Sequence, residues 1–545
     1  MPAATPRRAN AWLALVVLAL GTFVTLLDLT IVNVALPRIS LDLHAPLDQL
    51  LLVLNVYSLV YAVLLITFGR LGDILGPRNL FAAGLAVFTL ASAASGLAQD
   101  TNQLIAGRAL QGLGAAILAP QGLPILLGTF PRERRGPVFA IFGILAGVAV
   151  ITGPTLGGWL VTNWGWRWIF FVNVPVGLAV VAASLALVPD VRPGRRHRFD
   201  LLGVVLASAG LLAVVWGLTE GQRYDWGVVA GPVSIPLVLA AGAVLLAAFG
   251  VTQARRQDRE PLLPFAVFRD RDFTLMCGVL LAMGFAIVGL FLPLTIYFQS
   301  VLGLSALDAG LTVAPQPLAM IVSSAVASTL VQRVRPALIL VPGLLLLAAG
   351  MGIVDWTAQP GSGRWTFLPG LVVGGIGMGC IWTPLFSVAT RNLRSDLAGV
   401  GAGVLDTIQE LGTVIGSAVI GALLQNRLAT SLHDEAAARS AGLPPQVRAP
   451  FVDGFSHAAR GGFEVGAGQS GAASALPPGV PADLARQLAD TAHEVFASAF
   501  VGAMRPTLVL PVAALVIAGL GCLALLRGGP AVHADAAAGL DVDAA

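Results

Sequence analysis

Fourteen apolar stretches, each long enough to cross a bilayer, account for most of the 545 residues, and almost no charge interrupts them. A spanning helix needs about 20 predominantly apolar residues. Runs of that kind fall at 11-36, 47-69, 80-98, 103-129, 137-161, 166-188, 201-220, 228-250, 273-299, 307-331, 336-354, 366-389, 399-424 and 505-527. The expected fold is therefore an all-α polytopic membrane protein. Hydrophobic residues make up 56% of the chain and charged residues 11%, a balance that a soluble core does not explain. Within the runs the informative residues are the few ionisable ones, Asp28, Arg108, Asp406 and Glu410. A charge held in hydrocarbon costs roughly 2.5 to 3.5 kcal/mol even on lenient insertion scales, so such residues mark a transport pathway or a buried pair.

Composition removes several kinds of chemistry. All 32 basic residues are arginine, whereas a phosphate-binding Walker A loop needs its lysine and a Schiff-base enzyme needs a lysine amine. No other nucleotide motif is present, so ATP is not expected to supply the energy. Cys277, Cys380 and Cys522 lie in three different apolar segments without metal or redox spacing and read as small packing residues. The six histidines all fall outside the predicted spans, so a proton relay within the membrane must rest on carboxylates. No convergent set of His, Cys, Lys or metal-binding residues lies in the spans, which argues against an enzyme and against a cofactor or metal site. A sensor built on a transporter fold would want an extra soluble domain, and only one outer connection offers room. Arg7 and Arg8 precede a first run that lacks a small-residue cleavage site and carries Asp28 and Pro37, so it reads as a retained helix rather than a signal peptide.

Orientation follows from arginine, because basic residues near span ends stay on the cytoplasmic side. With the N-terminus inside, the cytoplasmic connections hold 21 arginines, whereas the short outer loops hold 4, namely Arg38, Arg167, Arg223 and Arg364. Both termini are therefore expected in the cytoplasm. Topology explains the basic loops before any nucleic-acid or lipid-binding role does. The chain divides into residues 1-190, a six-helix group, 191-258, a linker with two extra spans, and 259-545, a second six-helix group. This last group carries a long outer loop at 425-504, whose middle, Gly461 to Pro481, reads as flexible. Asp483 to Phe500 reads as a surface helix resting on the outer leaflet. A weak internal echo supports two related halves: Leu71 and Gly84 recur as Leu330 and Gly343 at the same interval, and Gly112-Leu113-Gly114 as Gly377-Met378-Gly379.

Four local patterns occur in the first half. Leu27-Asp28-Leu29-Thr30-Ile31-Val32-Asn33 leads to Pro37 at the close of span 1, and Gly69-Arg70-Leu71-Gly72-Asp73-Ile74-Leu75-Gly76-Pro77-Arg78 joins spans 2 and 3. Arg108-Ala109-Leu110-Gln111-Gly112 lies in span 4, and Gly153-Pro154-Thr155-Leu156-Gly157-Gly158 in span 5, followed by the run from Trp166 to Asn173-Val174-Pro175. With these motifs the chain resembles the major facilitator superfamily, and within it the fourteen-helix drug:proton antiporters of the QacA/EmrB type. The likeness covers nearly the whole chain and includes Tyr297-Phe298-Gln299-Ser300 in span 9 and Gly374 to Pro384 in span 12. It implies a major facilitator fold with two six-helix bundles plus two extra middle helices, alternating access, multidrug efflux driven by proton entry, and antibiotic resistance. The resemblance also implies residence in the inner (plasma) membrane. The expected partners are a lipophilic small-molecule substrate, protons and the lipid bilayer, with no nucleic acid; a monomer is expected. Export of an endogenous lipid or natural product, and proton-coupled uptake, are the rival readings.

Each candidate residue has a physical reason and a plainer alternative. Asp28 is the first candidate proton site, against a purely structural hydrogen-bonding role, with Asn33 as a neutral partner. Arg108 cannot lose its proton and either tunes Asp28 or forms a fixed bridge. Asp73, beside Gly69, Gly72 and Gly76, can accept from a neighbouring helix N-terminus and pair with Arg78 as a latch between bundles. Ile74 and Pro77 stand where the family has more basic residues, which weakens the expected latch; the alternative is a topogenic turn. Gly153, Pro154, Gly157 and Gly158 give a kinked small-residue face; by resemblance this is the antiporter motif. Asp406 and Glu410 are one turn apart on one helix face, where the family more often has amides, and are either a second proton or cation site or a solvated pair. Asn33, Tyr57, Tyr61, Tyr297, Gln299 and Trp382 are candidates to line a substrate pocket, against ordinary packing.

Overall fold

The computed structural model describes residues 11–44, 47–131, 134–190, 200–221, 224–257, 261–394, 397–460 and 482–523. The first half contains α1 (Ala11–Leu43), α2 (Leu47–Leu75), α3 (Pro77–Gly96), α4 (Thr101–Leu118), α5 (Gly122–Thr129), α6 (Arg135–Asn163), α7 (Trp168–Phe171) and α8 (Asn173–Leu187). The middle pair is α9 (Leu201–Glu220) and α10 (Ile235–Arg255), separated by strands β1 (Val228–Ala230) and β2 (Val233–Ser234). The second half holds α11 (Ala266–Arg269), α12 (Arg271–Ile296), α13 (Ala306–Val313), α14 (Pro315–Leu330), α15 (Ala337–Thr357), α16 (Leu368–Ala389), α17 (Ala398–Ser440), α18 (Pro445–Arg460) and α19 (Ala482–Cys522). Short polar residues start several of these helices by covering orphan backbone N–H groups. The Asp100 carboxylate accepts from the Gln103 N–H at 2.9 Å, and the Ser305 hydroxyl accepts from the Asp308 N–H at 3.1 Å.

Thirteen helices among the described residues are long and apolar enough to cross a membrane, and α6 takes the remaining place in the order of fourteen runs. Two expectations need correction. The eighth run does not enter the membrane at 228: residues 228–234 form an antiparallel ribbon, β1 with β2, and the span starts at Ile235. Asp225, Trp226 and Gly231 adopt positive φ there (47°, 57° and 51°), a backbone state that turns a chain and cannot continue a helix.

The second correction concerns 425-504, which over its described residues is helical rather than a loop. Helix α17 runs unbroken for 43 residues, about 65 Å at 1.5 Å per residue, roughly twice the ~30 Å of hydrocarbon. Leu424, Leu428, Leu432 and Ala436 recur every fourth residue and are buried in one core with Leu488, Ala492, Val495, Phe496 and Phe500 of α19. A stripe of that period is a helix–helix seam. Arg439 closes the hairpin, paired with Glu435 on its own helix, 3.8 Å from Glu494 and donating to the Ser498 hydroxyl at 2.9 Å. Asp483 to Phe500 is thus part of α19, packed on protein, rather than a separate leaflet helix. The stretch Gly461 to Pro481 lies outside the described residues.

The echo between the halves acquires a packing reason. A Cβ on Gly114 of α4 would sit 2.8 Å from the Gly84 carbonyl of α3, and one on Gly377 of α16 would sit 2.6 Å from the Gly343 carbonyl of α15. The echoed glycines therefore serve the corresponding close helix crossing in each half. Between the halves, α2 packs on α17, and α6 on α14 and α16. Helix α9 lies along both α2 and α17, with Val215 buried among Ala62 and Val414. The loop behind α10 is tied down by Asp200, which caps α9 and accepts from Gln253 at 2.7 Å and Arg256 at 3.1 Å.

Candidate functional site

Asp28 sits mid-way along α1, fully buried, and every group around it donates. Its Oδ2 pairs with Arg108 of α4. Its Oδ1 accepts from Gln111 Nε2 at 3.0 Å and from Asn173 Nδ2 of α8 at 3.3 Å. Both amide nitrogens also donate to the Ser92 hydroxyl of α3, at 2.7 and 3.4 Å. Arg108 is 1% exposed; its Nη1 also donates to Gln111 Oε1 at 2.9 Å and its Nε to the Val53 carbonyl at 3.2 Å, and its guanidinium lies 4.5 Å over the Tyr57 ring of α2. Such a cluster satisfies what a buried ion pair requires, geometric fit plus hydrogen bonds to the leftover valences. Sequence reasoning singled out Asp28 and Arg108 but missed Gln111, Ser92 and Asn173. Gln111 was signalled by its three-residue spacing from Arg108, which puts both on one helix face. Asn173 stands in the Trp166 run; Ser92 gave no signal.

The helix that carries Asp28 is held by the small-residue face of α6. A Cβ on Gly153 would lie 2.0 Å from Thr30 Oγ1, and one on Gly157 2.7 Å from the Ile31 side chain. Gly158 is looser, its nearest neighbour being Val34 at 4.0 Å. These glycines thus fix α1 within the first bundle. The side chains of Asn33 and Pro154 lie outside the described residues.

The motif at 69–78 is mostly helix rather than loop. Helix α2 continues to Leu75, and only Gly76, at φ 93°, makes the turn into α3. Asp73 is buried at the end of α2, and its carboxylate accepts from the N–H groups of Gly399 and Val400 at 3.1 and 3.3 Å, in the first turn of α17. A helix N-terminus is a ready anion site. Small residues serve this junction: a Cβ on Gly69 would sit 2.6 Å from the Gly399 backbone carbonyl, and one on Gly72 would displace the Gln121 side chain, whose Oε1 would lie 1.9 Å away. No pairing of Asp73 with Arg78 is seen among the described residues, where the ion pair of Arg78 is with Asp190. Because the turn is complete at Gly76, Arg78 belongs to the first turn of α3 and reaches Asp190 beyond α8, at 3.5 Å.

Asp406 and Glu410 share one face of α17, half-buried, and make no hydrogen bond or ion pair among the described residues. Tyr61 lies within electrostatic range of both, and Tyr57 of Glu410. The two tyrosine rings stack, centroids 6.2 Å apart and 16° from parallel, so aromatic rings connect the Arg108 guanidinium to the unpaired acids. Trp382 stacks on Phe386 at 6.0 Å, and Phe386 on Phe139 of α6 at 5.5 Å across the seam; the Trp382 indole N–H is buried without an acceptor among the described residues. Tyr297 departs from its expected pocket role: it is fully buried against Phe298 and Phe367, and its hydroxyl donates to the Gln359 carbonyl at 2.6 Å. Gln299 is half-buried in the π turn that ends span 9. No group of three or more His, Cys, Asp or Glu side chains is placed to hold a metal among the described residues.

Two helical halves meeting at a seam, with buried ionisable groups part-way along spanning-length helices, define a polytopic membrane transporter rather than an enzyme. Comparison with known proteins agrees: the Major Facilitator Superfamily model matches residues 18–417, and the chain belongs to that family. It is 34% identical to the tetracenomycin C resistance and export protein of Streptomyces glaucescens, over 91% of this chain and 88% of that one. It is 35% identical to the puromycin resistance protein pur8 of Streptomyces alboniger, over 83% and 87%. Among solved structures, the human organic anion transporter MFSD10 (TETRAN) covers 93% of this chain and 99% of its own, with a TM-score of 0.56 at 12% identity, a likeness of fold alone.

Proposed function

We propose that this transporter exports lipophilic small molecules across the inner membrane by alternating access, in exchange for protons that bind at Asp28. The observation that carries this reading is the buried Asp28–Arg108 cluster, joined by the stacked Tyr57 and Tyr61 rings to an acid pair that has no protein counter-charge among the described residues. A proton arriving at Asp28 releases Arg108 from its pairing. Through Tyr57 and Tyr61 that change is felt where Asp406 and Glu410 await a cation or a proton. The resistance and export roles in the names of the two bacterial relatives support export over uptake and point to antibiotic-like compounds. Placing the arginine-rich ends in the cytoplasm makes the Asp73–α17 contact an inner contact between the two halves.

The test is accumulation of ethidium and puromycin in cells expressing the protein, with and without a protonophore. Reduced accumulation that the protonophore abolishes is expected; equal accumulation in expressing and control cells for a broad set of such compounds contradicts the reading. Orientation is checked with an impermeant thiol reagent, which should label Ala437→Cys from outside and not Val334→Cys.

A further inference from the structure

Neutral Asp28 needs a hydrogen-bond acceptor for its new O–H, and the cluster as assembled offers none. Arg108, at Oδ2, is a donor only. At Oδ1 stand two amide nitrogens, from Gln111 and Asn173. Two buried donors facing a carboxylic acid O–H would leave polar hydrogens unpaired, at a cost of about 1–3 kcal/mol each. One amide must therefore turn round when the proton arrives.

The two amides are not equally free to do so. Gln111 is held at both ends: its oxygen accepts from Arg108 at 2.9 Å, and its nitrogen donates at 3.0 and 2.7 Å to Asp28 and Ser92. Reversing it would set its N–H groups against the guanidinium. Asn173 makes the longer contacts, 3.3 and 3.4 Å, both through nitrogen, and its oxygen has no hydrogen bond among the described residues. A half-turn about its terminal torsion, which is broad and two-fold, replaces N–H by C=O toward Asp28 and breaks no third bond. The charged or titratable groups that face Asp28 among the described residues are Arg108 of α4 and Tyr57 of α2; α3, α6 and α8 present none.

We infer that Asn173 is the positioning residue that reads the protonation state of Asp28, its amide donating to the carboxylate and reversing to accept from the acid. The inference rests on the proposed proton binding at Asp28. No covalent bond changes: one proton joins Asp28 Oδ1, and one amide rotates. The place of Asn173 gives the rotation a consequence. It opens α8 one short helix, α7, after the turn in which the Trp166 indole donates to Asp42 of α1 at 3.0 Å and Arg167 donates to the Ala98 carbonyl at 3.1 Å. The end of the bundle away from the arginine-rich face is thus tied together beside the residue that senses the proton.

Infrared titration of the full-length protein in lipid nanodiscs tests this without any substrate. The carboxylic C=O stretch that appears on acidification and is missing in Asp28→Asn belongs to Asp28. A carboxylic acid that loses its acceptor absorbs at higher wavenumber. The band should therefore move up in Asn173→Val and in the smaller Asn173→Ala, and return part of the way in Asn173→Ser, whose hydroxyl accepts. An Asp28 band at the wild-type position in Asn173→Val or Asn173→Ala overturns the role of Asn173. Absence of any Asp28-dependent band in the wild type at every pH removes proton binding at Asp28 itself, a separate result that fells both readings.

Discussion

Asp28 and the Asp406–Glu410 pair are both acids within membrane-spanning helices, yet their surroundings are opposite. Asp28 is fully buried, meets three donors and has a permanent cation as its partner. Asp406 and Glu410 are half-buried, stand one turn apart and meet no cation of the protein among the described residues. A membrane protein tolerates buried charge in two ways, by supplying the counter-charge or by leaving it to be supplied. The first gives a site whose protonation must rearrange a network. The second gives a site whose occupancy depends on what enters from solution. Under the proposed function, energy coupling falls to the first bundle and recognition of positive charge to the seam between the halves.

The strongest attack on this contrast is to remove the cation from the satisfied site. Arg108→Leu leaves Asp28 buried and unpaired, and breaking a buried pair costs about 3–5 kcal/mol. The variant should lose thermal stability and yield in detergent, measured by fluorescence-detected chromatography. The double change Asp28→Asn with Arg108→Leu should recover stability but not export. A stable Arg108→Leu protein would show that the cluster is not a tightly coupled pair. Next in size is the seating of α1 on α6. Gly153→Val drives a side chain into Thr30, and overpacking of about 1–3 kcal/mol should cut transport about tenfold, whereas Gly158→Ala, with room to 4.0 Å, should transport normally.

The unsatisfied site is tested by Glu410→Gln. It should weaken efflux of a cationic dye about tenfold, the equivalent of ~1.4 kcal/mol, and spare a neutral substrate. Equal losses for both classes would return the pair to a solvated surface role. The smallest expected effect lies outside the membrane, at the α9 cap. Burial of Asp200 raises its pKa, but hydrogen bonds from Gln253 and from the Gly203 and Leu262 backbone, with Arg256 nearby, outweigh burial and hold the pKa below the ordinary carboxylate value of 3.8. A depressed folded pKa stabilises the folded state above the unfolded value, and this contribution is lost as pH falls through the folded one. Asp200→Ala should therefore cost about 1 kcal/mol at neutral pH in thermal unfolding, and the difference from wild type should shrink only below about pH 4.

How much of this was legible in the sequence depends on the distance between interacting residues. The spans were readable because one bilayer-length apolar run is a local property. The α17–α19 hairpin was not, because its buried stripe, Leu424 to Ala436, alternates with polar residues and takes its meaning from a partner 60 residues away. Asp28 and Arg108 were visible as charges in apolar runs; Ser92 and Asn173, uncharged, became part of the site only when α3 and α8 were brought against α1. The Asp73–Arg78 pairing failed for a local reason, since a single positive-φ glycine sends Arg78 to another helix. Tyr297 looked like a pocket aromatic until its hydroxyl was found bonded within the core of the second half.

The central claim is that Asp28 couples proton entry to export, and proteoliposomes carrying an imposed pH gradient and loaded with a pH indicator and ethidium test it most directly. Wild-type protein should move protons and dye in opposite directions in a fixed ratio. Asp28→Asn, inserted to the same level, should show neither gradient-driven dye movement nor dye-dependent proton flux. Undiminished gradient-driven export by Asp28→Asn would contradict the account.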